Sequence, residues 1–381
     1  MSTKEVAKHR EIYQQIHRAI VSGEYAVGQR IPTEAELGAA YSVSRPTISR
    51  ALRDLEQQGY LLRRRGAGTF VREFQRTSGG LFGLTVPHTE GGILGPICAE
   101  IVQRADAGGH SVLYGGTLPR HGPVSAAQAD AFCERFIARG VVGVFFLPLI
   151  LRREQMDMNL RIADRLSEAG IAIVLLDHDI VDYPQRSRYD LVGVDNRRNG
   201  AVITEHLLAG GCRRIHFVTI DLTVSTSTAR IAGYQDALRD HGIEPDPSWV
   251  HRWNTAEDGE FVRRLMRESR AEAFVCVNDD VARTLLLHLA TLGVRVPEDV
   301  RLVSFDDLPF AAALPVPLTT LHQPTRDIGA AAVETMLSRI AAPDRPPRDV
   351  RLACDLRIRS SCGVRTGGAA AAATTGALVA R

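Results

Sequence analysis

The chain has 381 residues, 45% hydrophobic and 24% charged, with a formal net charge of +2, the balance of a globular protein of two or three domains. No run of eighteen apolar residues occurs, which excludes an ordinary membrane span, and the opening MSTKEVAKHREIYQQ lacks the apolar centre of a secretory signal, so a cytoplasmic location is expected. Charge is uneven: residues 1–76 carry 13 Lys+Arg against 8 Asp+Glu and the remainder 33 against 36, which predicts a small basic domain with a polyanion partner beside a faintly acidic larger one.

Tyr13, Ile16 and Ile20, with Ile12 and Ala19, recur at helical spacing, and Gly23 and Gly28 mark the turn that follows. Pro32-Thr33-Glu34-Ala35-Glu36 reads as a helix start. Thr33 can accept from the first turn and Glu36 can reach back to it, a capping box. That helix is expected to end near Tyr41. Ser42-Val43 then make a tight turn, and Ser44 caps a third helix whose Pro46 lies in the tolerant first turn. Ile48, Ala51, Leu52 and Leu55 form its core stripe. Ser49, Arg50 and Arg53 face the other way, and Arg45 and Thr47 lie at its amino end. Two short helices joined by a tight turn, the second bearing arginines, suit the DNA major groove, where Arg binds guanine bidentately. For the helix alone, a solvated arginine face is the alternative.

The next stretch decides between them. Tyr60-Leu61-Leu62 and Thr69-Phe70-Val71 are short strands, and Arg63, Arg64, Arg65, Gly66, Ala67 and Gly68 form the tip between them. A hairpin after a helix-turn-helix is a wing. Its arginines meet phosphates or enter the minor groove, and its glycines bring the backbone close. The stretches IPTEAELGAAYSVSRPTISRAL and GYLLRRRGAGTFV resemble the GntR-type winged helix. The resemblance implies DNA contacts from Arg45 and Thr47 on the third helix and from the wing near Gly66 and Gly68; Ser49 and Arg50 on the exposed helix face and Arg63, Arg64 and Arg65 at the wing tip are expected contacts from the residue pattern itself. The family usually carries arginine where this chain has Ser49 and often where it has Ala35, which bears on the operator that is read.

EFQRTSGG (73–80) is polar and glycine-rich, a linker. Beyond it strands and helices alternate. LFGLTV (81–86) is a strand, residues 93–107 a helix, SVLYG (111–115) a strand and 126–138 a helix. VVGVFFL, AIVLL, LVGVD, RIHFVT, FVCV and VRLVSF repeat the strand signal. Continuous apolar strands between helices imply parallel sheets buried on both faces, and about 280 residues of this exceeds one compact sheet, so two α/β lobes are expected. The predicted domains are a winged helix-turn-helix over 1–75, a linker over 76–82, a two-lobed body over 83–365 and a disordered, low-complexity tail over 366–381.

In such sheets ligands sit beyond the carboxyl ends of the strands. Asp177-His178-Asp179 follow AIVLL. Thr228-Ala229-Arg230 open the helix after RIHFVTI, Asn278-Asp279-Asp280 follow FVCV, Asp306-Asp307 follow VRLVSF, and Phe261 lies just inside the helix after the strand ending at Trp253. Carboxylates and amides to share hydroxyl protons, a guanidinium fork and an aromatic for a C–H face suit a polyol or sugar. Singly, each Asp or Asn reads more readily as a helix cap; only the set argues for a site. The stretches VGVDNRRNGAVITEHLLAGGCRRIHFV, ARIAGYQDAL, VCVNDDVA, VPEDVRLVSFDD and PLTTLHQP resemble the LacI-type effector domain, a relative of the periplasmic sugar-binding fold. That resemblance implies ligand contacts from Asp177, Arg230, Asn278 and Asp306, and from Phe261; the motifs do not mark the first-lobe contacts, and there the His88-Thr89-Glu90 loop after the first strand and Phe146 near the third strand end are the candidates by position alone. A GntR reader joined to a LacI-like sensor resembles the arabinose-repressor class.

Enzymatic readings fail on chemistry. Lys4 and Lys8 are the chain's only lysines, so the body cannot form a pyridoxal Schiff base or complete a phosphate-binding loop. GGILG (91–95) is too loose for a dinucleotide fingerprint, and no catalytic motif stands out. Six cysteines without CxxC spacing read as buried free thiols rather than a metal site. The expectation is a cofactor-free, metal-free, ligand-controlled transcription factor, a homodimeric repressor on double-stranded operator DNA, relieved by a small molecule such as a sugar. The alternative is a sugar-binding module or hydrolase on the same fold without a regulatory role.

Overall fold

A computed structural model describes residues 12–13, 15–16, 19–20, 25–41, 43–57, 60–64, 67–72, 79–85, 92–115, 125–149, 157–220, 225–253 and 259–364. The chain divides into two compact units, Met1–Gly79 and Gly80–Arg381. The expected linker core at 73–78 and the tail at 366–381 lie outside the described residues.

In the first unit, helix α1 (Glu34–Tyr41) and helix α2 (Arg45–Gln57) precede an antiparallel hairpin of β1 (Leu61–Arg64) and β2 (Gly68–Val71). The capping box forms as spaced: the Thr33 amide donates to Glu36 Oε2 at 2.7 Å and the Glu36 amide to Thr33 Oγ1 at 3.3 Å. Ile48, Ala51, Leu52 and Leu55 are buried against Ile12, Ile16 and Ile20 of the preceding helical segment, with Leu61 and Val71 of the hairpin closing the core. Gly68 has a φ of +114°, and a Cβ there would lie 2.6 Å from Arg30 Nε, so both backbone and space call for glycine.

The second unit holds two six-stranded sheets. In the first lobe β3 (Leu81–Leu84), β4 (Ser111–Tyr114), β5 (Gly143–Phe146), β6 (Ala172–Leu176), β7 (Asp190–Val194) and β13 (Asp349–Leu352) form a wholly parallel sheet. Alternation decides which side each residue covers. Val144, Phe146, Ile173 and Leu175 bury one face under helices 126–138 and 157–168. Phe145, Val174 and Leu176 bury the other under helices 94–107 and 325–341. In the second lobe β8 (Ile215–Ile220), β9 (Val250–Trp253), β10 (Ala273–Cys276), β11 (Arg301–Asp306) and β12 (Thr319–His322) run parallel, and β14 (Asp355–Arg357) closes the edge antiparallel to β12. Two crossing helices, α6 (Asn196–Ala209) and α7 (Ser225–Asp240), pack on this sheet. On the first lobe, helix α3 (Leu94–Ala107) covers one face of the sheet, and α4 (Ala126–Ala138) and α5 (Asp157–Glu168) cover the other.

The chain passes between the lobes three times: from β7 into α6, from β12 into helix 325–341, and from β13 to β14. All six cysteines are free thiols; five are buried, and Cys354, on the third crossing, is half-buried. Burial pushes the thiols of Cys98, Cys133 and Cys354 up to about 11, beyond ready reactivity.

Candidate nucleic-acid interface and effector site

In the head one carboxylate organises the basic groups. Glu34, at the start of α1, accepts from Arg45 Nε of α2 at 3.3 Å and from Arg63 Nη2 of the wing at 2.8 Å. Burial opposes its ionisation, but the bonds from Arg45 and Arg63, with one from Ser49, hold its carboxyl below the usual range. The helix α2 and the wing thus each present an arginine from one focus on α1. Arg45 is 78% exposed and Arg63 47%, so neither is spent on the protein interior. Thr47 is half-buried beside Ser44, its hydroxyl 2.8 Å from the Ser44 hydroxyl. Arg50 is exposed, and Arg64 lies over the Phe70 ring at 5.1 Å. Arg65 and Gly66 fall outside the described residues.

In the body Arg230 is the centre. It lies on α7 with 5% exposure. Its Nε donates to Asn196 Oδ1 at 2.8 Å, its Nη1 to the Val277 carbonyl at 2.5 Å, and its guanidinium lies 4.5 Å over the Phe305 ring. The Nη2 stands 3.8 Å from Asp306 Oδ1, an ion pair too long for a direct hydrogen bond. Asp306 in turn accepts from Gln323 Nε2 at 2.7 Å. Burial pushes the Asp306 carboxyl up to about 7; Arg230 opposes the rise, and Asp279 and Asp177 add to it. Asp177, at the carboxyl end of β6, lies 3.1 Å from His178 Nδ1. Burial works against its ionisation, but His178 and Arg230 outweigh it and hold the carboxyl low. Asp177, Asp306 and Asp307 all have positive φ, at 66°, 112° and 57°, a conformation non-glycine residues hold at functional sites only when their surroundings enforce it.

Three expected contacts are placed differently. Phe146 is fully buried in the first-lobe core, because its position in β5 points it beneath helices α4 and α5. Phe261 is 7% exposed and stacks on Trp253 at 5.1 Å as part of the second-lobe core. Neither offers a free ring face in this conformation. Asn278 spends its side-chain oxygen capping the following helix, accepting from the Val281 amide at 2.9 Å. His88, with Thr89 and Glu90, lies outside the described residues. Sequence reasoning missed Asn196 and Gln323, and reached Asp279 only as a member of the polar run after FVCV. Asn196 and Gln323 sit at two of the three crossings, so the inter-lobe connections themselves hold the site's charges. A cavity of about 210 Å³ opens beside Asp177 and Ala229, between strand ends of the first lobe and the start of α7.

Comparisons with known proteins agree with both halves. Residues 8–71 match the gntR family of bacterial regulatory proteins, and residues 204–362 match the periplasmic binding protein-like domain. The arabinose metabolism transcriptional repressor of Geobacillus stearothermophilus is 27% identical over 353 residues, 89% of this chain and 93% of that protein. The HTH-type transcriptional repressor PurR of Vibrio atlanticus (strain LGP32) is 30% identical over 253 residues, 66% of this chain and 72% of the relative. Among solved structures, the transcription regulator GntR from Chromobacterium violaceum aligns with a TM-score of 0.60 at 26% identity, covering 74% of this chain and 99% of that one. A CelR–cellobiose complex shares the fold, with a TM-score of 0.64 at 22% identity over 87% of this chain and all of the other.

A winged helix with one arginine of the reading helix and one of the wing gathered at a single carboxylate, and a two-lobed body with a buried charged site, define a ligand-responsive DNA-binding transcriptional regulator rather than an enzyme. The chain belongs to the bacterial gntR regulators that carry a periplasmic-binding-protein-like effector domain of the LacI type.

Proposed function

We propose that the protein is a cytoplasmic, homodimeric repressor whose two heads grip the half-sites of a near-palindromic operator, and whose body releases it on binding a sugar. The observation that carries the sugar reading is the 3.8 Å gap between Arg230 Nη2 and Asp306. A guanidinium and a carboxylate held slightly apart, each anchored from behind, present a donor and an acceptor to adjacent hydroxyls. The relatives' names support the class: an arabinose-metabolism repressor, and folds solved with cellobiose and ribose. The test is a thermal-shift and calorimetric screen of L-arabinose, D-ribose and cellobiose on the purified protein, followed by release of upstream DNA by whichever sugar binds. Failure of all three to stabilise the protein counts against the sugar reading.

On the DNA side α2 reads bases and the wing supplies phosphate contacts, so binding should weaken steeply with salt. Arg45→Ala is expected to reduce specific affinity by about 1–3 kcal/mol if Arg45 reads a guanine. Glu34→Ala should approach that loss without removing any cation, because Arg45 and Arg63 lose their common anchor. Gel-shift titrations at two salt concentrations check this. A Glu34→Ala protein that binds more tightly, through simple loss of negative charge, would show that the carboxylate does not organise the arginines.

The effector site carries a pH signature. Hydroxyl donors favour ionised Asp306, whose carboxyl titrates at about 7 in the free protein. Sugar affinity should therefore be level above that pH and fall roughly tenfold per unit below it, because protonation competes with binding. Calorimetry across neutrality reads the break; a flat profile would place Asp306 outside the contact.

A further inference from the structure

Asp279 is fully buried at the first residue of helix 279–291, yet it is not that helix's cap. Asn278 already supplies the capping oxygen. Burying a carboxylate is costly unless it is bonded, and the bonds Asp279 makes are all with neutral donors. It accepts from Ser304 Oγ on β11, from Thr320 Oγ1 on β12 at 2.8 Å and from the Leu308 amide at 2.7 Å. Ser304 lies two residues before Asp306 and Leu308 one residue after Asp307, so the carboxylate grips both ends of the turn formed by the two positive-φ aspartates. Thr320 completes a relay, since its hydroxyl also accepts from the Asp307 amide at 3.3 Å.

We propose that Asp279 is the positioning residue of the effector site, holding the 306–307 turn in its strained conformation so that the Asp306 carboxylate faces Arg230 and the guest. The proposal rests on the reading of the Arg230–Asp306 pair as that site. Asp279 also acts through its charge: burial pushes its own carboxyl above the usual range, the bonds from Ser304, Leu308 and Thr320 work against that rise, and the charge they preserve repels ionisation of Asp306. Asp306 is faced by Arg230 from α7, Asp279 from the helix after β10, Asp177 from the end of β6, and Gln323 and Cys354 from two crossings. Burial is the main force against its ionisation, and Asp279 adds to it.

Asp279→Asn keeps the shape and one acceptor for the Leu308 amide while removing the charge. The full-length protein and this variant are titrated calorimetrically with L-arabinose, D-ribose and cellobiose across neutral pH. Above the break, the variant is expected to bind about tenfold more weakly, the effect of a lost charged hydrogen bond. Its break should also move to lower pH, because a negative charge beside Asp306 is gone. A residue that only stabilises the lobe would lower the melting temperature and leave the break in place. Wild-type affinity together with a wild-type break overturns the proposal. If Asp279→Asn does not yield folded protein, Thr320→Val interrupts the relay while keeping the carboxylate. It should weaken binding without lowering the break, and unchanged binding by that variant is the overturning result. If the unaltered protein binds none of the three sugars, the effector-site reading fails and the proposal falls with it; binding that only the variants leave untouched refutes the proposal alone.

Discussion

Arg230→Ala is expected to abolish the response to ligand while leaving DNA binding by the head in place. The side chain is 5% exposed and its three nitrogens all have assigned directions, to Asn196, to the Val277 carbonyl and toward Asp306. Truncation strands two buried acceptors and leaves the Asp306 carboxyl without its cation. Removing one member of a buried pair costs about 3–5 kcal/mol. The 3.8 Å separation, and a carboxyl already raised to about 7 that takes up a proton once its cation is gone, place this case at the lower end. A fall in the body's melting temperature and loss of any sugar-induced shift are the expected readings. Arg230→Lys should not rescue them, because an ammonium cannot reproduce the fork that meets Asn196 and Val277 together. A truncated protein still stabilised by sugar to the wild-type extent would move the guest elsewhere.

Gly233→Ala is the second large effect. Helices α6 and α7 cross with their backbones in contact. A Cβ on Gly233 would lie 1.8 Å from the Arg197 carbonyl oxygen and 2.8 Å from the Ala201 amide, and one on Gly200 would lie 2.1 Å from the Arg230 carbonyl oxygen. These neighbours are main chain, so the helices themselves must part. Overpacking of a well-filled interior costs about 1–3 kcal/mol, and a backbone collision belongs at or above the top of that range. The same movement draws Arg230, three residues away, from Asn196 on the opposite helix. Chemical denaturation should show a lower midpoint, and sugar binding should weaken beyond what partial unfolding explains. A wild-type midpoint would mean that the crossing tolerates a wider spacing.

The head was legible in the sequence because its signals are local. A capping box, a four-residue apolar stripe and a hairpin tip each need fewer than fifteen residues, and Thr33, Glu36 and Ile48 to Leu55 fall where the spacing puts them. The alternating body was legible for the same reason, with strands such as AIVLL found at Ala172–Leu176. The edge strands DVRL and DLR were not read, since they are short, half polar and defined by partners far away: β13 pairs with β7, more than 150 residues earlier. The site divides similarly. Asp177, Arg230 and Asp306 follow strands, a rule visible in one dimension. Phe146 and Phe261 obey that rule too, yet turn into the cores, because an aromatic at a strand end is as well used for packing as for stacking on a guest. Asn196 and Gln323 gain their roles only where the chain changes lobes, and no local pattern marks those points.

Those three passages have a mechanical consequence. Two bodies tied at a single point can swivel freely, whereas three side-by-side tethers act as a flat strap that yields to flexing and resists torsion. Nicking the backbone at Cys354 alone would leave two tethers, and the halves should stay associated. What should loosen is the direction of travel, so that an occupied cleft no longer transmits one defined displacement along the chain.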